Sequence, residues 1–187
     1  MTFAKPNRFG LPPIKSSASE AAAVAATLGV APILDDAATK SAVLAALGRS
    51  RYAHISTHGR HAVVAPGFQT IFCADDGAGD DGRLHAYEIL ALDLRGLELL
   101  TLSACETALG RYDLGDNLRG LPATFFLAGV QTIVATLWPV ERPAAATFFP
   151  AFYTAIEGGA SQRNAFAAAQ AKTRSAFRNF APGEPST

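Results

Sequence analysis

Two rhythms of apolar residues alternate along the chain. Residues 97–102 form an almost unbroken apolar run that stops on Ser103, Ala104 and Cys105. That is the pattern of a strand buried on both faces of a parallel sheet. Residues 52–59, 68–74 and 131–137 carry similar strand signals. Between them lie helical patterns. The Ala-rich stretch 17–28 follows Ser17, which with Glu20 reads as a capping box, and Gly29 stops it. A second helix, capped by Asp36 or Thr39, runs to Leu47 and ends at Gly48; shorter ones cover 86–91 and 118–128. Two helices close the chain, in which Phe148, Phe152 and Ile156, then Phe166, Gln170, Thr173 and Phe177, recur at helical spacing. Such aromatic stripes are core packing. Residues 30–34 read as a short strand that Pro32 confines to a sheet edge. Residues 75–82 form an acidic, glycine-rich hairpin turn without the ligand spacing of a calcium loop, and 109–119 a long polar loop able to wall a cleft. The alternation predicts a three-layer α/β/α sandwich around a mostly parallel sheet.

At 187 residues the chain is one domain by size, with an arm at 1–15, the folded unit at 16–180 and a tail at 181–187. Hydrophobic residues make up 49%, charged ones 17%, and the formal net charge is +0, which argues against nucleic acid or an anionic membrane as an electrostatic partner. The longest apolar stretch, 122–138, is interrupted by Gly129 and Gln131 and reads as a helix end followed by a strand, not a span. The N-terminus has no signal-peptide pattern, so a cytoplasmic protein is expected. Two cysteines are too few for a disulfide framework, and neither has zinc-finger spacing to histidine. No strand leads into a glycine-rich phosphate loop. No metal and no cofactor are expected.

Cys105 is where the chemistry concentrates. Open α/β sheets lodge ligands outside the carboxyl ends of their strands, where this residue falls. A lone cysteine is more often simply buried, and Cys73, inside a strand-like run, reads that way. His58 shifts the balance, because it ends another strand and is followed by Gly59. A thiol nucleophile needs an imidazole to take and return a proton, and backbone N–H donors for the oxyanion. Gly59 lets a backbone amide approach a carbonyl closely. His58 precedes Cys105 by 47 residues, against about 50 in caspases. His54, four residues earlier on the same face, reads as a core histidine or a support for the site; His61 and His85 read as loop residues without a role. On the residues alone, nucleophile and buried thiol both stay open.

Ser56-Thr57-His58-Gly59, Leu102-Ser103-Ala104-Cys105-Glu106-Thr107 and Leu137-Trp138-Pro139-Val140, in this order, resemble the CHAT domain, in the separase-like branch of the caspase-type cysteine peptidases. Gly115-Asp116-Asn117-Leu118-Arg119-Gly120-Leu121, Phe125-Phe126-Leu127-Ala128-Gly129-Val130, Phe152-Tyr153 and Ala165-Phe166-Ala167-Ala168-Ala169-Gln170 extend the likeness over residues 18–174. The resemblance implies a caspase-like fold and a cysteine endopeptidase with His58 and Cys105 as its dyad. The backbone N–H groups of Gly59 and Cys105 then form the oxyanion hole. It places Trp138 beside the specificity pocket and Glu141 where a carboxylate pairs with a basic substrate side chain; Glu141 equally suits a helix start and Asp116 a helix N-cap. It implies a protein substrate and a helical-repeat (TPR-like) or other sensor region in the parent protein or a partner. The rival reading is a non-catalytic interaction module on the same fold.

Caspase-type sheets, by the same resemblance, begin with a central strand before the first helix. Residues 2–4 and 8–11 do not read as one. The chain therefore reads as part of a larger protein or as a domain without that strand. The expectation is a slot beside the His58 strand, closed by the Pro32 segment or filled by self-association.

Overall fold

Burial decides which strand takes the centre. In Leu99–Ser103 four residues are buried and only Ser103 is partly exposed. That strand lies between Tyr52–Ser56 and Thr132–Ala135, and all three run parallel. The computed structural model describes residues 9–14, 16–60, 62, 64–77, 79–103, 111–112, 118–136 and 142–177. In chain order its elements are α1 (Ser17–Thr27), α2 (Lys40–Arg49), β1 (Tyr52–Ser56), β2 (Gly59–Arg60), β3 (Thr70–Phe72), β4 (Arg83–His85), α3 (Ala86–Ile89), β5 (Leu99–Ser103), β6 (Arg111–Tyr112), β7 (Leu118–Arg119), α4 (Leu121–Leu127), β8 (Thr132–Ala135), α5 (Arg142–Glu157) and α6 (Gln162–Ala176).

Strand period sorts the two faces of the parallel sheet. Ile55, Leu100 and Leu102 point to one side, where they pack with Val43 and Leu47 of α2, Ile89 of α3 and Phe125 of α4. Leu99 points to the other, against Val24 of α1, Phe149, Phe152 and Tyr153 of α5, and Ala165 and Ala169 of α6. The result is the expected three-layer α/β/α sandwich. A small antiparallel sheet, β2-β3-β4, grows from the end of β1.

Several local expectations shift. Ser17 does not cap α1: the N-cap is Ser16, without a side-chain bond, and Glu20 is buried in the core instead of reaching back. Residues 30–34 make no strand; residues 30–33 line a cavity of about 140 Å³ with Leu28, Leu47 and residues 52–55 of β1. Pro32 removes a donor there, and a turn at Asp35, with φ +47, follows. Gly48 lies inside α2 because the cap at Thr39, whose Oγ1 accepts from the Ala42 N–H, sets the frame and the helix runs one residue past it. The acidic turn does connect two antiparallel strands, yet it is more than a solvated hairpin. Asp76 accepts from the N–H and Oγ of Ser41, while Asp80 and Glu88 face the Lys40 ammonium at 3.6 and 2.5 Å. The polar segment before α4 holds a short antiparallel ladder, β6 with β7, so α4 begins at Leu121 and not at 118.

Candidate active site

β1 ends at Ser56, and the next two residues are fastened to β3 from both directions. Thr57 Oγ1 donates to the Phe72 carbonyl at 2.9 Å, and the Phe72 N–H donates to the His58 carbonyl at 3.0 Å. His58 is thereby stationed just beyond the carboxyl end of the parallel sheet. Its Nε2 lies 2.7 Å from the Pro12 carbonyl oxygen. A carbonyl can only accept, so Nε2 carries a proton and donates it to Pro12. Pro12 is held in turn by its own segment: the Phe9 ring lies 4.8 Å from that of Phe72, and the Arg83 guanidinium sits 4.9 Å over Phe9.

Gly59 pairs with Ile71 and Arg60 with Thr70. The Phe72 to His58 bond marks the neighbouring pair as the bonded one, so the alternation of an antiparallel ladder turns the Gly59 N–H away from β3. That amide is not consumed by the small sheet.

Cys105, Asp116, Trp138 and Glu141 lie outside the described residues. Their approaches do not. Ser56 faces Ser103 as the last register pair of β1 and β5, two residues before His58 and Cys105 respectively. Gly120 starts α4 at φ +114 with the Gln69 amide where a Cβ would stand, and Gln69 Oε1 accepts the buried Leu121 N–H at 2.7 Å. At the end of β8, Ala135 and Thr136 line an apolar cavity of about 420 Å³ with Phe148 and Phe149 of α5 and Phe166 and Gln170 of α6.

Cys73 is 1% exposed, and burial pushes its thiol up to about 12, so it stays protonated and inert. His85 closes β4 rather than sitting in a loop; its Nδ1 meets Thr70 Oγ1 at 2.9 Å. His54 is a core residue. Its Nδ1 lies 2.6 Å from Thr101 Oγ1 and its Nε2 3.0 Å from Glu20 Oε1, while Thr101 Oγ1 meets the Tyr153 hydroxyl at 2.9 Å. Burial, partly offset by the bond to Glu20, holds the His54 imidazole below its ordinary value; burial pushes the Tyr153 phenol up.

Two partners escaped the reading of side chains. Pro12 acts through a main-chain oxygen 46 residues upstream of His58, which no residue pattern encodes. Glu20 sat in a convincing capping pattern; the competing signal was its place on the apolar face of α1, beside Ala21 and Val24.

A family model described as CHAT domain matches residues 2–181. The chain is 29% identical over 178 residues to tetratricopeptide repeat protein 28 of Mus musculus, and 25% identical over 179 residues to the protein of that name from Homo sapiens. Each match covers 79% of this chain, which spans only 7% of the length of either relative. Among the described residues no helix is long and apolar enough to cross a membrane.

Proposed function

Because this chain belongs to the CHAT domain family, we propose that it is a cysteine endopeptidase acting through His58 and Cys105 on a protein substrate. The observation that carries this reading is the setting of His58. Its ring is oriented by the bond from Nε2 to the Pro12 carbonyl, and it stands where β1 opens beside β5. The mechanism follows from those atoms. His58 Nδ1 accepts the thiol proton as Cys105 Sγ attacks the scissile carbonyl. The Gly59 and Cys105 N–H groups receive the oxyanion, each donor worth about 3–4 kcal/mol. Collapse of the tetrahedral intermediate breaks the C–N bond, and the imidazolium returns its proton to the leaving amine. Water, deprotonated by the same imidazole, then releases the acyl group and restores the thiol.

Trp138 and Glu141 belong in this reading to the walls of the substrate side-chain pocket, with Glu141 facing a basic residue, and Asp116 to the loop across the cleft. The relatives are tetratricopeptide repeat proteins by name. A helical-repeat region in the parent protein or a partner therefore fits as the sensor that governs access to the site. The reducing cytoplasm suits a free catalytic thiol.

The test is labelling with a peptidyl acyloxymethyl ketone followed by intact-mass analysis. Peptidase chemistry requires one adduct per chain, on Cys105, that His58→Ala suppresses. A chain that stays unlabelled while its CHAT fold is intact is an interaction module instead.

A further inference from the structure

Resting on the dyad reading above, we propose that Glu20, His54, Thr101 and Tyr153 are positioning residues that hold the two catalytic strands in register. The four belong to four different elements, α1, β1, β5 and α5, and their side chains are almost wholly buried. With His54 neutral, its Nε2–H donates to the Glu20 carboxylate and its Nδ1 accepts from Thr101 Oγ1, while the Tyr153 hydroxyl, 2.9 Å from Thr101 Oγ1, donates to the Ala53 carbonyl at 3.1 Å. Each of these side-chain polar groups has a partner.

The geometry ties this chain to the dyad. His54 and Thr101 are Cα partners in the parallel register, 47 residues apart in sequence. In the sequence His58 and Cys105 each follow four residues later, beyond the ends of β1 and β5, with the same separation. Apolar packing discriminates this register poorly. A slip of two residues keeps every side chain on its own face and merely exchanges Leu102 for Leu100 opposite Ile55. Hydrophobic burial has no direction, so the two arrangements differ little in that respect. The His54–Thr101 bond does have a direction, and the slipped register breaks it. Breaking it strands buried polar groups, a larger penalty than the exchange of one leucine for another. Glu20 and Tyr153 extend the same constraint to the helices on that face, which fixes the height of β1 and β5 against α1 and α5.

Stability alone does not require such a group. A buried charged or polar cluster is often no more stabilising than apolar residues of the same volume. Its value lies in the single arrangement it permits, and the element so arranged leads to His58 at one strand end and to Cys105 at the other.

Thr101→Val tests this with little change in volume, since it removes the hydroxyl and keeps the branching; Thr101→Ser returns the hydroxyl. The readout is inactivation of the full chain by the peptidyl acyloxymethyl ketone, resolved into kinact and KI, beside the thermal midpoint. The expected result is a kinact lower by at least about tenfold in Thr101→Val, as misplacement near 1 Å produces. KI should be unchanged, the midpoint should fall by about 2–8 °C because buried His54 Nδ1 loses its partner, and Thr101→Ser should restore both kinact and the midpoint. A Thr101→Val chain that keeps its kinact, or one whose loss appears only in the midpoint or in KI, overturns the proposal while leaving the dyad in place. Wild-type chain that is not labelled, or is labelled equally with His58→Ala, removes the dyad itself, and that result is seen before any Thr101 variant is made.

Discussion

Ser56 of β1 and Ser103 of β5 face each other as the last paired residues of the two strands. Beyond Ser56 the chain turns into β2, fastened to β3, and carries His58; in the sequence Cys105 follows Ser103 by two residues. The dyad proposed above would depend on the register of these two strands.

Cys105→Ala and His58→Ala should each abolish labelling and peptide cleavage without unfolding the chain, because the first exchanges one small side chain for another and the His58 ring is partly exposed. Cys73→Ala should keep turnover, since its thiol is buried and raised to about 12. Intact-mass labelling and far-UV circular dichroism on the three variants check this. Equal loss from the Cys73 and Cys105 changes would mean that the nucleophile is misassigned.

Glu141→Gln should weaken cleavage after Arg or Lys far more than cleavage after Leu. Breaking a desolvated carboxylate–guanidinium pair costs about 2–5 kcal/mol or more. Paired fluorogenic peptides that differ only in the residue before the scissile bond measure the ratio. A uniform effect on both would leave Glu141 as a helix-start acid.

Acidification should destabilise the fold through His54. Burial lowers its pKa below the ordinary 6.5, with the Glu20 bond opposing that shift. As pH falls through 6.5 the unfolded chain takes up a proton that the native chain still refuses, so the stability present above that pH is progressively lost below it. Urea unfolding at a series of pH values should show this decline in wild type and a shallower one in His54→Gln. Glu20, Thr101, Tyr153 and Phe149 are the groups that face the ring, from α1, β5 and α5. Identical slopes in the two proteins would exclude the buried imidazole as the source.

Gly129→Ala should cost about 1–3 kcal/mol from backbone strain alone. Gly129 sits at φ +110 after α4, and a Cβ there would come within 2.9 Å of the Arg95 backbone nitrogen. Gly159→Ala, at φ +85 with no atom within 4 Å of its Cβ position, should cost less. Chemical denaturation of both variants separates conformational strain from collision.

The layers of this fold were legible in the sequence because burial imposes periods that a single chain displays. Leu99, Leu100 and Leu102 read as a central strand, and the Phe148, Phe152 and Phe166 stripes as packed helices, since each signal is local. His58 followed by Gly59 at a strand end was equally visible. What tertiary structure alone decided were pairings between distant residues. Pro12 orients His58 through a carbonyl that every residue possesses. Glu20 has the sequence signature of a helix cap, but the apolar face of α1 carries it inward to His54, where a buried polar partner outweighs the exposed cap bond. Residues 30–34 have strand-like composition, yet with Pro32 lacking a donor and the chain turning at Asp35 they stay out of the sheet, and residues 30–33 line a cavity instead. Local pattern specifies which residues are buried. Which buried polar atoms meet is settled by packing of the whole chain, because a hydrogen bond depends on positions that sequence separation does not encode.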